Sequence, residues 1–195
     1  MRNCYVLTGN NNSDRAQFSK TVLESVGFNV VFFNYIPNEN KVLSNKMSML
    51  EIYKRIANGT DEWVYVFEDD INILAPINIR DIIKYESISN NVFYLGVCMP
   101  NINKIKINST MIDKYPIAIV EGCVRGLHAI ALSKSGAKEL LKFSKTWEHY
   151  DYMDMVLEEF TNIYPANVVR YNLESYIYGH RGVFFQDRLK FPSTI

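Results

Sequence analysis

Three consecutive carboxylates, Glu68, Asp69 and Asp70, follow the apolar run WVYVF in the sequence. A run of this kind is typical of a strand buried in a sheet, so the chain brings three negative charges to the edge of its own core. Adjacent carboxylates raise one another's pKa unless a positive charge neutralises them. A hard divalent cation with oxygen ligands does so, and it also recruits phosphate oxygens. The triplet therefore suggests a metal site for a phosphate-bearing ligand.

Alternation along an extended segment divides these carboxylates. Glu68 and Asp70 are two residues apart and point to one side, whereas Asp69 points to the other. Glu68 and Asp70 can then face a metal while Asp69 makes structural hydrogen bonds. The alternative is a solvated loop start in which one aspartate caps a turn. The pattern alone leaves both interpretations open.

A second pair of carboxylates, Asp151 and Asp154, lies in the segment HYDYMD. Their spacing is one helical turn, which places both on one face of a helix. Either residue is a candidate general base that takes a proton from a hydroxyl group. The alternative is that Asp151 is a helix N-cap and Asp154 favours the positive helix end.

Strands and helices alternate in the first third of the chain. Helix signals run from Asn12 or Ser13 to Gly27 and from about Asn45 to Ala57. Apolar strands linked by single helices indicate a parallel sheet covered on both faces, with ligands bound outside the carboxyl ends of the strands. The predicted strands are NCYVL, FNVVFFNY and WVYVF.

The second half of the chain is less regular. Ser133 is predicted to cap the helix KSGAKELLKFSK, and another helix begins near Asp151. NINKIKINST is predicted to be an exposed hairpin or loop, and the tail RGVFFQDRLKFPSTI to be irregular. One mixed α/β domain over residues 1–195 is the simplest account. The predicted strands here are VFYLGV, AIV, LHAIALS, ANVVRYN and SYIYG.

Composition narrows the classes of function. Lys plus Arg and Asp plus Glu number 21 each, so the net charge of zero argues against nucleic-acid binding. The apolar stretches are too short to cross a bilayer, and the N-terminus does not read as a signal peptide. Cys4, Cys98 and Cys123 lack the spacing of a disulfide framework or zinc site, which favours a reducing compartment. We expect a soluble cytoplasmic protein, and peripheral contact with a membrane is compatible with this.

Several segments together resemble glycosyltransferase family 25, which includes the lipooligosaccharide-type and procollagen-type galactosyltransferases. VFEDDINI resembles that family's LEDD element, and CYVLTGNNNSDRAQF resembles its opening strand, with Asp14 and Arg15 matching. FYLGV and GCVRGLHAIALSKSGAKELLK are similar to two later segments, with His128 in the matching place. Their order and approximate spacing agree over nearly the whole chain. Leu127 and Ile130 depart from the family pattern, as does the N-terminal asparagine run.

The resemblance implies a GT-A fold, a nucleotide-sugar-binding mixed sheet flanked by helices. It also implies a glycan-biosynthetic enzyme that inverts the anomeric centre while moving galactose or glucose from a UDP-sugar to a glycan or other hydroxyl acceptor. Mn²⁺ or Mg²⁺ would be held by Asp70 together with Glu68, or with Asp69 in its place, and fold-level analogy adds His180 as a third ligand. Asp151 and Asp154 become the candidate bases. The residues expected at the nucleotide are Thr8, Arg15, Glu68, Asp69 and His128.

Other interpretations stay open beside this one. A sugar nucleotidyltransferase would need a glycine-rich, basic phosphate loop after the first strand, and TGNNNSDR has one Gly and one Arg. A non-catalytic nucleotide- or glycan-binding module could keep the same acidic cluster. His128 has a commoner role as a hydrogen-bonded core histidine, and His149 is expected at the surface. The aromatic fraction of 13% suits sugar stacking, although most of it serves core packing.

Overall fold

The computed structural model describes residues 1–74, 76–98, 105–112, 115–120, 125–169 and 180–192. Within these residues, nine strands form one mixed sheet and two more form a short antiparallel ribbon. The helices are α1 (Asp14–Val26), α2 (Lys41–Asn58), α3 (Ile79–Ile82), α4 (Lys134–Ser144) and α5 (Met153–Ile163), and a 3-10 helix spans Ile83–Ile88. The strands are β1 (Arg2–Thr8), β2 (Phe28–Asn34), β3 (Trp63–Glu68), β4 (Ile71–Ile73), β5 (Val92–Cys98), β6 (Ile105–Ile112), β7 (Tyr115–Val120), β8 (Arg125–Ser133), β9 (Ala166–Val169), β10 (His180–Gly182) and β11 (Phe184–Gln186).

The first half of the sheet is parallel, as the alternation of strands and helices predicts. β1 lies between β2 and β3 and runs parallel to both. α1 begins after Ser13, whose side chain accepts a hydrogen bond from the Ala16 amide, and it ends at Gly27 with φ +108°. Leu7 of β1 is in register with Glu68 of β3, so the carboxyl ends of the two strands lie side by side.

The second half of the sheet is mostly antiparallel. β8 is antiparallel to β3 on one side and to β5 on the other, so β3 is an interior strand. β9 is parallel to β5, while β7 is antiparallel both to β9 and to β6. The order is β2-β1-β3-β8-β5-β9-β7-β6, and β10 also pairs with β5. The predicted α/β class, a mixed sheet flanked by helices, is confirmed, as is the hairpin interpretation for the described part of NINKIKINST.

The sheet separates two apolar layers, and β3 contributes to both. Val64 and Val66 pack with residues of α2, α4 and α5, while Tyr65 and Phe67 pack with residues of α1 and the 3-10 helix. A strand covered on both faces reads as a continuous apolar run, which explains WVYVF. Cys4 is a free, buried thiol in the second layer. Among the described residues, none of the helices combines the length and apolarity that crossing a bilayer requires.

Two predictions about local structure are wrong. The tail contains β10 and β11, and β11 pairs with β4 instead of being irregular. Strands of three residues carry too little apolar pattern to be recognised in a sequence. α5 begins at Met153 with Tyr152 as its N-cap, so Asp151 does not cap it. The predicted strand SYIYG lies outside the described residues, as do residues 101–104, 121–124 and 170–172 of other predicted segments.

The start of α4 is fitted closely against the segment before β5. The Ser133 hydroxyl accepts a hydrogen bond from the Gly136 amide at 2.9 Å, and the Ser133 amide donates to the Asn91 carbonyl, also at 2.9 Å. A Cβ atom on Gly136 would lie 2.1 Å from the same Asn91 oxygen. Glycine is therefore required at this position by a backbone contact, although it weakens helices in general.

Gly136→Ala is expected to destabilise the protein by roughly 1–3 kcal/mol, because the added methyl group overpacks a backbone contact. In an ordinary helix position the same change would stabilise by up to about 1 kcal/mol, so the sign of the effect is informative. The free energy of unfolding in urea measures it. Lys138→Ala, at an exposed position of the same helix, should stay within about 0.5 kcal/mol of wild type. A more stable Gly136→Ala protein would contradict the contact.

Candidate functional site

The three carboxylates lie where β3 ends and the chain turns towards β4. Glu68 is the last residue of β3, and Asp69 and Asp70 form the turn that follows. Asp69 is 7% exposed and Asp70 only 1%, so the interpretation as a solvated loop start is wrong. Buried carboxylates need hydrogen bonds or opposite charges from the protein, and both are present here.

Arg15 holds two of the carboxylates from the first turn of α1. Its Nε lies 2.5 Å from Asp69 Oδ1, and its Nη2 lies 3.0 Å from Asp70 Oδ2. The Thr8 hydroxyl at the end of β1 donates to Asp69 Oδ2 at 2.6 Å. The Arg15 Nη1 also donates to the Pro192 carbonyl at 3.1 Å. Thr8 and Arg15, both predicted to lie at the nucleotide, therefore lie beside the carboxylates.

Gln186 of β11 connects the other pair of carboxylates. Its Nε2 donates to Glu68 Oε2 at 2.5 Å and lies 3.5 and 3.4 Å from the two Asp70 oxygens. Its Oε1 accepts a hydrogen bond from Arg188 at 3.0 Å. Glu68 and Asp70 thus share one partner while Asp69 bonds to Thr8, which is the division that the alternation predicts. Gln186 is not among the residues that the sequence predicts for this site, because it lies 118 positions from Glu68 on a strand of three residues.

The charges of the cluster are not fully balanced. The pKa of Glu68 is raised to about 8, mainly by burial and then by the negative charges of Asp70 and Asp69, against the lowering effect of Arg15 and Arg188. Burial also raises the pKa of Asp70, against the lowering effect of Arg15. Three carboxylates therefore face two guanidinium groups, and the site favours one more positive charge, from a proton or a bound cation.

The fit of a divalent cation rests on the donor atoms of Glu68 and Asp70. Both supply hard carboxylate oxygens at a site that lacks one positive charge, which suits Mg²⁺ or Mn²⁺. In the described part of the chain, no group of three or more His, Cys, Asp and Glu side chains is arranged to hold a metal. His180, the predicted third ligand, lies in β10 opposite Cys98 of β5, and its side chain is outside what the structure describes. The three ligands remain a prediction.

His128 is fully buried in β8 near the same end of the sheet. It precedes Ala129, which pairs with Phe67 of β3. A Cβ atom on Gly96 of β5 would lie 2.4 Å from His128 Nε2, so the imidazole occupies space that a side chain at Gly96 would fill. This burial agrees with a core histidine, and a contact with the nucleotide stays a prediction.

Asp151 and Asp154 lie at the start of α5, on the α2 side of the sheet. Asp151 is exposed, and Asp154 is half-buried in the first turn of the helix. Burial raises the pKa of the Tyr53 hydroxyl of α2, and the charges of Asp154 and Glu68 raise it further. The charges of Asp154 in α5 and Glu68 in β3 therefore both act on the Tyr53 hydroxyl in the core. His149 is exposed, as expected.

Comparisons with known proteins find likeness at the level of the fold. No family model matches the chain, and no curated protein is significantly similar to it in sequence. The crystal structure of A197 from STIV is 10% identical, covers 86% of this chain and 81% of its own, and has a TM-score of 0.44. The apo-form glycosyltransferase GlyE of Streptococcus pneumoniae TIGR4 is 8% identical over 85% of this chain and 44% of its own, with a TM-score of 0.48.

An inositol-1-phosphate CTP transferase from T. maritima is 11% identical over 88% of this chain and 86% of its own, with a TM-score of 0.46. Glycosyltransferase and nucleotidyltransferase structures are thus both among the similar folds. At such identities the chemistry of the site must be inferred from this chain's own residues. The likeness to family 25 remains a resemblance of sequence motifs.

Arg15→Met is expected to destabilise the protein by about 3–5 kcal/mol, because it leaves two buried carboxylates without their cation. Chemical unfolding near pH 8 measures this loss. Lys20→Met is the matched control on the same helix, since Lys20 forms an exposed pair with Glu24 at 3.7 Å and should cost at most about 1 kcal/mol. Equal effects of the two substitutions would mean that the Arg15 pairs contribute little.

In the presence of a chelator, the free energy of unfolding is expected to fall as pH rises from about 4.5 to about 8. Glu68 has its raised pKa only in the folded state, so the folded protein holds a proton that the unfolded chain releases. The slope from this group is at most about 1.4 kcal/mol per pH unit. Glu68→Gln should flatten the profile, whereas Glu24→Gln, at an exposed position, should not. A wild-type profile no steeper than that of Glu68→Gln would disprove the shift.

Proposed function

We propose that the protein is a metal-dependent glycosyltransferase that moves galactose or glucose from a UDP-sugar to a hydroxyl group of a glycan acceptor, with inversion at the anomeric carbon. The observation that carries the proposal is the buried carboxylate cluster at the carboxyl end of β3, where three carboxylates face two guanidinium groups. The missing positive charge is what a cation bound to a diphosphate would supply. The family-25 resemblance supports the choice of UDP-sugar.

On the donor side, Glu68 and Asp70 are the proposed metal ligands, with His180 as the proposed third. The cation would stabilise the negative charge that develops on the departing UDP. Arg15 and Thr8 hold Asp69 in place, so that Glu68 and Asp70 keep their orientation beside Gln186. The proposed contacts of the nucleotide remain Thr8, Arg15, Glu68, Asp69 and His128.

On the acceptor side, Asp151 or Asp154 is the proposed general base. Inversion in a single displacement requires a group that takes the proton of the attacking hydroxyl. The exposure of Asp151 supports its access to an acceptor, while the half-buried position of Asp154 favours a contact that holds the acceptor or orients its partner.

A sugar nucleotidyltransferase is the weaker candidate. The TGNNNSDR segment, which runs from the end of β1 into α1, has one Gly and therefore lacks a glycine-rich phosphate loop. A non-catalytic binding module would keep the same cluster. Measuring turnover distinguishes such a module from an enzyme.

UDP release from a panel of UDP-sugars, with and without Mn²⁺, tests the proposal. We expect Mn²⁺-dependent release from UDP-galactose or UDP-glucose, and a loss of at least about a hundredfold in Asp70→Asn, the order reported for removal of one stabilising group at a developing charge. Asp61→Asn is the matched control, because Asp61 is exposed at the opposite end of β3 and undergoes the same chemical change.

Thermal unfolding of both variants shows whether Asp70→Asn remains folded. If UDP binds in a Mn²⁺-dependent way but no UDP-sugar is cleaved or its sugar transferred, the protein is a binding module and not an enzyme. Neither turnover nor Mn²⁺-dependent binding of UDP by the folded wild type would overturn the metal site.

A further inference from the structure

The segment between α4 and α5 carries three aromatic rings in mutual contact, two of them stacked and the third tilted against both. Trp147 and Tyr150 stack with centroids 5.1 Å apart and planes inclined by 22°. The His149 ring lies 4.5 Å from Tyr150 and 5.4 Å from Trp147. Aromatic pairs favour such offset and tilted arrangements, with ring centroids roughly 4.5–7 Å apart.

This ring cluster, Trp147, His149 and Tyr150, is accessible to solvent and adjoins a carboxylate. His149 is exposed, while Trp147 and Tyr150 are partly buried against the α2 side of the core. Asp151 follows immediately and is exposed, and the Tyr152 side chain after it is 52% exposed. The segment thus brings partly exposed aromatic side chains and an exposed hydrogen-bond acceptor together within five consecutive residues.

A buried lysine holds this segment in place. Lys46 of α2 is 9% exposed, and its Nζ donates to the Glu148 carbonyl at 3.0 Å and also to the Tyr150 carbonyl. A buried ammonium group is costly unless it is well hydrogen-bonded, and here two backbone carbonyls of one turn supply the acceptors. The position of the ring cluster is therefore tied to α2.

The same helix ties the segment to the edge of the sheet that carries the carboxylates. The Tyr35 amide donates to the carbonyl of Thr8 at 3.1 Å, at the end of β1. The next residue, Ile36, is hydrogen-bonded to α2 through Ser48 at 2.8 Å. Lys46 lies in the same turn of α2 as Ser48. Hydrogen bonds therefore lead from the end of β1, through the start of α2, to the ring cluster.

The electrostatics of Tyr35 agree with this path. Burial raises the pKa of its hydroxyl, and the charges of Glu68 and Asp69 raise it further, while a hydrogen bond with Asn45 of α2 lowers it. Tyr35 is thus close both to the carboxylate cluster and to the residue before Lys46.

We propose that Trp147, His149 and Tyr150 bind one pyranose ring of the acceptor, with Asp151 accepting hydrogen bonds from its hydroxyl groups and Lys46 acting as a positioning residue. A pyranose presents C–H groups on its faces and hydroxyls around its edge, which matches rings beside a carboxylate. A ligand without hydroxyl or N–H groups would leave the Asp151 carboxylate without a hydrogen-bond donor. Calling this sugar the acceptor rests on the proposed glycosyltransferase function. The binding of a sugar at this site does not depend on that function.

The chain supplies its own reporter for this site. It contains two tryptophans, and Trp63 is 8% exposed within the sheet. In a Trp63→Phe protein the fluorescence comes from Trp147 alone. We would titrate this protein with the methyl β-pyranosides of galactose, glucose and N-acetylglucosamine, using acyclic sorbitol as the control. We expect a saturable change with at least one pyranoside and none with sorbitol, and Trp147→Phe should abolish the change in the otherwise wild-type protein.

Variants of the loop test the individual roles. His149→Ala should weaken pyranoside binding about two- to tenfold, the order expected for the loss of one ring contact. Lys46→Met should weaken it as well, and Lys46→Arg should restore part of the loss because it keeps donors for the two carbonyls. Lys54→Met, exposed on the same helix, is the control. All four should bind UDP with Mn²⁺ as wild type does, and if turnover is present the effects should appear in the acceptor KM more than in kcat.

The outcomes separate this inference from the proposed function. Saturable pyranoside binding without UDP release from any UDP-sugar would contradict the proposed enzymatic function and support the sugar site. The opposite result would be UDP-sugar turnover with no fluorescence response to pyranosides and an unchanged acceptor KM in His149→Ala. It would overturn the sugar site and support the enzymatic function. Loss of UDP binding in Lys46→Met would overturn its positioning role, because the lysine would then support the whole fold.

Discussion

The ion pairs of Arg15 with Asp69 and Asp70 decide whether the carboxyl end of β3 can lie inside the protein. A buried carboxylate without a partner costs several kcal/mol, and here two are consecutive in the chain. One guanidinium group meets both of them because its planar fork presents several donors at fixed angles. That arrangement requires α1 to begin just after β1, which the Ser13 cap secures.

Glu68 is the member of the carboxylate triplet that does not share in the Arg15 ion pairs. Its hydrogen-bond donor is the neutral amide of Gln186, whereas Asp69 and Asp70 are each paired with a guanidinium nitrogen. Burial, together with the charges of Asp70 and Asp69, raises its pKa to about 8, which makes the folded protein less stable above neutral pH than it would be with a neutral side chain there. Groups kept in such an unfavourable state cluster at functional sites, because the function uses the interaction that the resting protein lacks.

Patterns local in the sequence predicted the parallel half of the fold well. The Ser13 cap, the end of α1 at Gly27 and the two-faced burial of WVYVF all follow from residues within a few positions of one another. The division of the carboxylates also followed from simple alternation. Gln186 could not be placed this way, since it lies 118 positions from Glu68 and on a strand of three residues. The three-residue β4 likewise left no signal of its pairing with β11.

The surroundings of the carboxylates come from two parts of the chain distant from the end of β3: the region of Thr8 and Arg15, and the segment from Gln186 to Pro192. Gln186 reaches Glu68, and the Pro192 carbonyl reaches Arg15. Bringing such remote segments together costs loop-closure entropy, which grows with the length of chain between them. During synthesis on the ribosome, Arg15 and the three carboxylates emerge before Gln186 and Pro192 do. A nascent chain that has not yet emerged beyond β10 would carry the carboxylates without the amide and the carbonyl that complete their surroundings.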